Sequence, residues 1–377
     1  MAGVFRFSNA VSDIDKLIQT FRALAGRFAD LPADSHFDHN EAARFLAENG
    51  LASSLGAIGS EAVSRSFQAK TTALNPLFNQ HKSYSEFFRM LGWYAPTSSQ
   101  SKFHISNFGK LIGSGDLRPD AIRKLVEKCV LHIVSPNHLT NVKGGNILRP
   151  FPLILKLMHR LDGIMLRDEI ILAVLACQDD RRPDIIDSQA SLIKSLRNIG
   201  RQALDDAMME LRKANGEYHL KMVDGVRQRV FAPLGADTLP NYTRLPLALC
   251  KWLRWATEIN IKGLYGPNSI HALRITPYGQ ELARSLIGMR DIRYEDFAGF
   301  DDTSKIAFTA YSNLYHLEVA FNCREAYEPA IPHVIDRAYP IFEHLGLRPF
   351  DDPFLFLGYQ ESPLAISNAA DEFLDSF

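Results

Sequence analysis

Cysteine is sparse and scattered in this chain. Cys129, Cys177, Cys250 and Cys323 are its only four, and no two are close enough to suggest a zinc ribbon or a C-x-x-C redox pair. They are expected to be reduced thiols of a cytosolic protein. Long apolar runs are also missing: no stretch approaches the roughly 20 residues that cross a bilayer. The start, Met1-Ala2-Gly3-Val4-Phe5-Arg6-Phe7, has no basic segment followed by an apolar one, so neither export nor a membrane partner is expected and the expected location is cytoplasmic. Net charge is nearly absent too, at −1.

The balance of charge conceals an asymmetry. Residues 291–377 carry 16 acidic against 5 basic side chains, which leaves 37 basic against 27 acidic in residues 1–290. A basic body suits phosphate binding, which depends on local rather than total charge. With 377 residues the chain is expected to divide into domains, because single cores stop growing near roughly 250–300 residues.

A seven-residue pattern occurs twice, 170 residues apart. Phe103-His104-Ile105-Ser106-Asn107-Phe108-Gly109 and Leu273-Arg274-Ile275-Thr276-Pro277-Tyr278-Gly279 both run apolar, basic-capable, Ile, hydroxyl, any residue, aromatic, Gly. Each copy follows an apolar helical run and a polar turn between strand-like residues, and each precedes another helical stretch. Helix, β-ribbon, helix is the layout of a winged helix-turn-helix module. The expected fold class is therefore mainly α with small β-wings, built as tandem winged helix-turn-helix modules. Within the pattern, the Ile and aromatic positions are expected to pin the wing to its module, and Gly109 and Gly279 to permit close backbone packing.

Periodicity predicts helices over 11–31, 40–48 and 84–91, with strands at 92–95 and 102–105 around Thr97-Ser98-Ser99-Gln100-Ser101. These make an expected first module, residues 1–115. An expected second module, 116–235, holds helices over 119–133, 147–161, 166–177 and 184–214, the last interrupted near Gly200. It ends in a hairpin from Tyr218 to Phe231 around Asp224-Gly225, a dipeptide favoured in tight turns. An expected third module, 236–290, has a helix over 244–259, strands at 261–265 and 270–275, and a helix over 280–287. Residues 291–377 are expected to form an acidic, mostly helical C-terminal region.

Phosphates are held by cations, hydroxyls and amides; base edges are read by Arg, Lys, Asn and Gln. The candidate DNA-binding residues are Arg65 and Lys70 in a mildly basic stretch, Ser99, Gln100, Ser101 and Lys102 at a wing tip, and Arg181 and Arg182 in a charged turn. Gln189, Lys194 and Arg197 lie on a helix face, Lys221, Arg227 and Arg229 on the hairpin, and Lys262 and Asn268 in the last wing. Lys194 and Arg197 are expected to read bases, and Arg227 and Arg229 to hold phosphates. For each residue the plainer alternative is an ordinary solvated side chain.

Nuclease chemistry finds little footing. The stretch from Leu131 to His138, with Lys143-Gly144-Gly145-Asn146 after it, resembles parts of HNH nucleases. However, Leu131 stands before His132 where an acidic ligand would be needed. No Asp and Glu/Asp-x-Lys pair falls on neighbouring strand-like segments, as a PD-(D/E)xK core requires. No catalytic residue, metal ligand or cofactor is assigned to this chain; Mg²⁺ would serve an associated nuclease.

Several segments in this order resemble the DNA-recognition region of the AlwI-like type IIS restriction and nicking endonucleases, over about residues 12–300. Ile105-Ser106-Asn107-Phe108-Gly109-Lys110-Leu111 resembles that family's Ile-Thr-Glu-Ala-Gly-Lys segment, and Arg118-Pro119 with the helix bearing Arg123-Lys124-Leu125-Val126 follows at its spacing. Arg149-Pro150-Phe151-Pro152-Leu153-Ile154-Leu155-Lys156-Leu157 resembles its Asn-Pro-Leu-x-Phe-Val-Leu helix, and Leu166-Arg167-Asp168-Glu169-Ile170 its next helix. The resemblance implies sequence-specific recognition of double-stranded DNA as part of a restriction-modification system in phage defence. Cleavage would come from a separate nuclease subunit or domain, because the chain ends about where the family's linker and nuclease would begin. The alternatives are a complete Mg²⁺-dependent endonuclease with an unrecognised site, a DNA-binding regulator or defence-system specificity subunit, and a protein-interaction module.

Overall fold

Short polar side chains just ahead of apolar runs cap several helix starts: Asp13, Asp38, Asn75, Ser106 and Thr276 each accept a first-turn N–H. A computed structural model describes residues 3–7, 12–32, 35–54, 56–68, 75–94, 99, 101–115, 117–131, 133–135, 137, 140, 145–182, 184–223 and 226–287. By contacts these fall into two compact units. The leading unit comprises Asp13–Ile133 with Asn137–Asn141, and the trailing unit Met1–Ser12, Val134–Pro136 and Val142–Gly288. The architecture is mainly helical with small antiparallel sheets.

In the leading unit, α1 (Ile14–Phe28) starts where the Asp13 carboxylate accepts the Lys16 N–H at 3.0 Å. β1 (Phe37–Asp38) runs into α2 (His39–Glu48) through a capping box: Asp38 accepts the N–H groups of Asn40 and Glu41, and Glu41 accepts that of Asp38 at 2.8 Å. These reciprocal bonds satisfy donors that every helix start leaves open. α3 (Gly59–Phe67) follows. Asn75 then caps α4 (Pro76–Met90), whose first-turn proline has no N–H to lose. β2 (Lys102–Phe103), α5 (Asn107–Gly113) and α6 (Pro119–Leu131) complete the unit. Its core is aromatic: Phe21 meets Phe88 and Trp93 at ring separations of 4.9 and 4.6 Å, and Phe37 stacks on Phe28 at 4.2 Å.

The trailing unit runs through α7 (Pro150–Arg160), β3 (Ile164–Met165) and α8 (Arg167–Ile170), which continues as a π-helical turn, Ile171–Leu175. Then come α9 (Ile185–Ile199), α10 (Arg201–Ala214), the strands β4 (Glu217–Val223) and β5 (Val226–Ala232), and α11 (Thr238–Tyr242). α12 (Arg244–Trp252), β6 (Ala256–Ile261), β7 (Ile270–Ile275) and α13 (Pro277–Leu286) close the order. One sheet has the order β3-β7-β6; β4 and β5 form a ribbon of their own. Phe5 belongs here as well, its N–H bonded to the Leu175 carbonyl at 2.8 Å.

The two pattern copies occupy the same internal geometry in their units. Ile105 bridges Tyr94, and Ile275 pairs with Ala256, in each case the residue after a buried tryptophan. Phe103 pairs with Phe37, as Leu273 pairs with Met165. The Ser106 and Thr276 N–H groups bond the Trp93 and Trp255 carbonyls at 3.1 and 2.9 Å. Their hydroxyls reach the carbonyls of Gly92 and Arg254, each at 2.7 Å, and accept the N–H of Gly109 and Gly279 at 2.8 and 3.0 Å. A methyl group on either glycine would lie 2.2 Å from the tryptophan carbonyl oxygen, so only glycine fits. The expected packing role thus has a geometric basis at the Ile, hydroxyl and Gly positions, but not at the aromatic one: Tyr278 is 48% exposed, because it faces away from the tryptophan that Gly279 abuts.

Three expectations are corrected. The anticipated second and third modules share one unit, because β3 pairs with β7 across the expected boundary at 235/236. Residues 116–133, placed at the head of the second module, belong instead to the leading unit, where the Arg22 guanidinium bonds the carbonyls of Ile112 and Leu117. The helix expected over 244–259 stops at Trp252: Arg254 turns left-handed at φ +60°, and 256–261 is strand where 261–265 was expected. Trp252, Trp255 and Ile259 fit helical spacing, but β-branched Thr257, Ile259 and Ile261 also alternate, and pairing with β7 decides the outcome. The interruption near Gly200 is present, at φ +112°. Expectations for 291–377 lie outside the described residues.

Candidate nucleic-acid interface

Each unit positions one helix immediately ahead of its second strand position, with the first strand paired to the third. In the leading unit this helix is α4, whose outward side chains include Asn79 and Lys82. In the trailing unit it is α12, exposing Arg244 and Lys251, the latter 3.1 Å from Glu258 on β6. None of these side chains is among the residues expected from sequence, where local spacing points to the helix over 184–214 instead.

Arg197 is the clearest relocation. Its guanidinium forms two bonds to Glu169, at 2.7 and 2.8 Å, and a third at 2.7 Å to the Ile164 carbonyl. Glu169 is fully buried and also accepts the Tyr265 hydroxyl at 2.8 Å. Burial acts against the Arg197 charge, but the hydrogen bond and charge of Glu169 outweigh it, so the guanidinium is held more firmly protonated than usual. Burial and the adjacent Glu169 carboxylate push the Tyr265 hydroxyl far up. Arg197 therefore ties α9, α8 and the β6–β7 loop together, and its expected role in reading bases is withdrawn. A largely buried side chain committed to a fork-to-fork ion pair and a backbone carbonyl has no fork left for a base edge.

The other candidates divide by setting. Lys194 is exposed on α9, and Gln189 beside it is half-buried. Arg65 is paired with Glu61 one turn earlier on α3. Arg181 forks onto Asp179 at 2.8 and 3.0 Å, and Arg182 onto Asp184 at 2.7 and 3.3 Å, so carboxylates already balance the charged turn. At the turn tip ahead of β2, Ser101 and Lys102 are exposed and the Ser99 and Ser101 hydroxyls meet at 3.0 Å. The buried Arg89 supports that tip from beneath, bonding the Lys102 and Ser99 carbonyls at 2.9 and 3.5 Å with its guanidinium 4.4 Å over the Phe103 ring. Lys262 and Asn268 are exposed between β6 and β7. Arg227 and Arg229 are exposed on β5, and Arg229 stands 5.3 Å over the Tyr218 ring.

Lys70 and Gln100 lie outside the described residues, as do His132 and His138 and the Asp224-Gly225 pair; Lys221 is placed on β4 opposite Gln228, and its side chain is not described. A groove of about 750 Å³ in the trailing unit is lined by Asp168, Arg201, Glu258, Asn260 and His271 among others; Asp168 lies 3.3 Å from Arg201, so its charges are mixed. Burial pushes the Cys177 and Cys250 thiols up to about 11 and about 12, the setting of packing groups rather than nucleophiles. Among the described residues no group of three or more His, Cys, Asp or Glu side chains could hold a metal ion, and no helix is long and apolar enough to cross a membrane. Compared with models of known protein families and with curated proteins, the chain matches none.

Proposed function

We propose that both units are winged-helix-like modules and that the protein recognises double-stranded DNA by sequence. The observation that carries this reading is the twofold recurrence of one layout: helix, strand, helix, then, after α3 in one unit and after α9, α10, the β4–β5 ribbon and α11 in the other, a helix leading into a hairpin whose last strand pairs with the first. In winged helices the helix before the hairpin enters the major groove and the hairpin follows the backbone. α4 and α12 take the first role. The tips bearing Ser101 and Lys102, and Lys262 and Asn268, take the second. The basic excess of residues 1–290 supports phosphate binding. The finer reading, the recognition part or subunit of a type IIS-like restriction system with cleavage supplied elsewhere and Mg²⁺ serving that nuclease, is supported by the sequence resemblance.

The test is binding of the full chain to labelled random duplexes across a salt series. Retention of a discrete set of sequences, with log affinity falling by about 0.9 per contacted phosphate per decade of salt, is the expected result. No duplex retention, or a flat salt response, would favour a protein-binding role. Plasmid cleavage with Mg²⁺ that one carboxylate substitution abolishes would instead establish a self-contained nuclease.

A further inference from the structure

β4 and β5 pair over all seven positions and, among the described residues, join no other strand. Residues directly opposite in an antiparallel pair share a face. One face therefore carries Tyr218 with Phe231 and Leu220 with Arg229, and Arg227 follows on the same side because strand side chains alternate. That face is turned to solvent: Tyr218 is 63% exposed, Leu220 71% and Phe231 44%, with both arginines exposed. Such a mixture of apolar and guanidinium groups is unlike an ordinary solvated strand, and phosphate contact alone gives Leu220 no role.

We propose that this ribbon reads base edges in the major groove, with Arg227 and Arg229 on guanine and Leu220 against a thymine methyl group. The inference rests on the DNA-binding reading above and moves the two arginines from phosphates, where the sequence placed them, to bases. Dimensions favour the major groove: about 12 Å wide, it admits a two-stranded ribbon as it stands, whereas the minor groove, about 6 Å wide, must first be opened by bending the duplex. Positions two apart on a strand are separated by about 6.8 Å, or two base steps of about 3.4 Å, so the two guanidiniums address bases two steps apart. Each fork matches the O6 and N7 acceptors of guanine. Stacking on Tyr218 orients the Arg229 plane in advance.

The experiment uses the full chain and the duplex it selects from a random pool. Arg229→Lys keeps the charge and loses the fork. It is expected to weaken binding to the selected duplex by about 10- to 100-fold and to erase preference at one guanine, with affinity for unselected duplex unchanged. Arg227→Lys does the same two base pairs away. Replacing one thymine by uracil weakens the wild type but not Leu220→Ala. If the lysine variants keep full preference, or if Arg→Ala variants lose affinity for all duplexes equally with a shallower salt slope, the arginines hold phosphates and the ribbon proposal fails alone. Wild type that selects no duplex overturns the underlying reading along with it. A concentration-dependent dimer abolished by Leu220→Asp would assign the face to a second copy of the chain and also overturn the proposal. The substituted side chains are exposed, and a wild-type melting midpoint checks that each variant is folded.

Discussion

Glu41 and Glu169 hold corresponding positions in the two units. Each is the third residue of the helix after the first strand, and each returns a carboxylate oxygen to the backbone N–H at the helix start, at 2.8 Å in both. Glu41 is exposed and does little beyond this local task. Glu169 is fully buried and takes two further partners, Arg197 from α9 and Tyr265 from the loop between β6 and β7. The difference follows from what lies between the second helix and the helix before the hairpin. Among the described residues the leading unit has only α3 there, whereas the trailing unit has α9, α10, the β4–β5 ribbon and α11. The same local device, capping a helix, thus also serves as a tertiary anchor in the unit with the longer intervening segment.

Removing the anchor should have the largest effect. Arg197→Ala leaves a buried carboxylate without its counter-ion and is expected to cost about 3–5 kcal/mol. Glu41→Ala at the corresponding position should cost only about 1 kcal/mol, the worth of a cap. Denaturant unfolding of the two variants measures the contrast; losses of equal size would show that Glu169 is no more than a cap.

The shared glycine comes next. Gly109→Ala and Gly279→Ala each push a methyl into a tryptophan carbonyl 2.2 Å away, and forcing such a fit costs about 3 kcal/mol. Hydrogen exchange should show the loss in the leading unit for the first variant and the trailing unit for the second. Equal protection to wild type in either unit would break the equivalence of the two copies.

A pH dependence separates the units further. His39 and His81 meet through their Nδ1 atoms at 2.8 Å inside the leading unit, and His81 Nε2 lies 3.3 Å from the Tyr94 hydroxyl. Burial, aided by Arg89 and Lys82 and opposed by Asp38, lowers His39 from 6.5 to about 4; burial, His39 and Arg89 lower His81 well below its usual range. Folded protein thus binds fewer protons than unfolded chain, and stability from these groups is present above about pH 6.5 and is lost as pH falls towards 4. The melting midpoint of the leading unit should drop by about 5 °C or more between pH 7 and pH 5. His39→Gln should flatten that dependence, and an unchanged slope would place its origin elsewhere.

Local chemistry was the legible part of the sequence. The turn at Gly200 and the Ile, hydroxyl and Gly positions of the repeated pattern act within a few residues and are seen in their expected places, whereas the aromatic Tyr278 is exposed. Arg197 was misplaced because its partner stands 28 residues earlier in sequence and only tertiary packing joins them. Strand β6 was taken for helix because its decisive partner, β7, was likewise invisible in local spacing.

A shared signal was also overlooked: Leu91-Gly92-Trp93 and Leu253-Arg254-Trp255. Each sequence ends a helix, turns left-handed at its middle residue, with φ +72° at Gly92 and +60° at Arg254, and buries the tryptophan that the pattern glycine abuts. The two middle residues differ, so the comparison predicts effects of opposite sign. Glycine adopts positive φ without strain, whereas a side chain there costs roughly 1 kcal/mol. Gly92→Ala should therefore destabilise by about 1 kcal/mol. Arg254→Gly should stabilise slightly, by about 0.5 kcal/mol, because relief of strain is partly offset by the freer unfolded chain. Chemical denaturation of both variants decides the point: if Arg254→Gly loses stability, the arginine side chain contributes contacts worth more than the strain it imposes, and the two turns are alike in shape but not in what stabilises them.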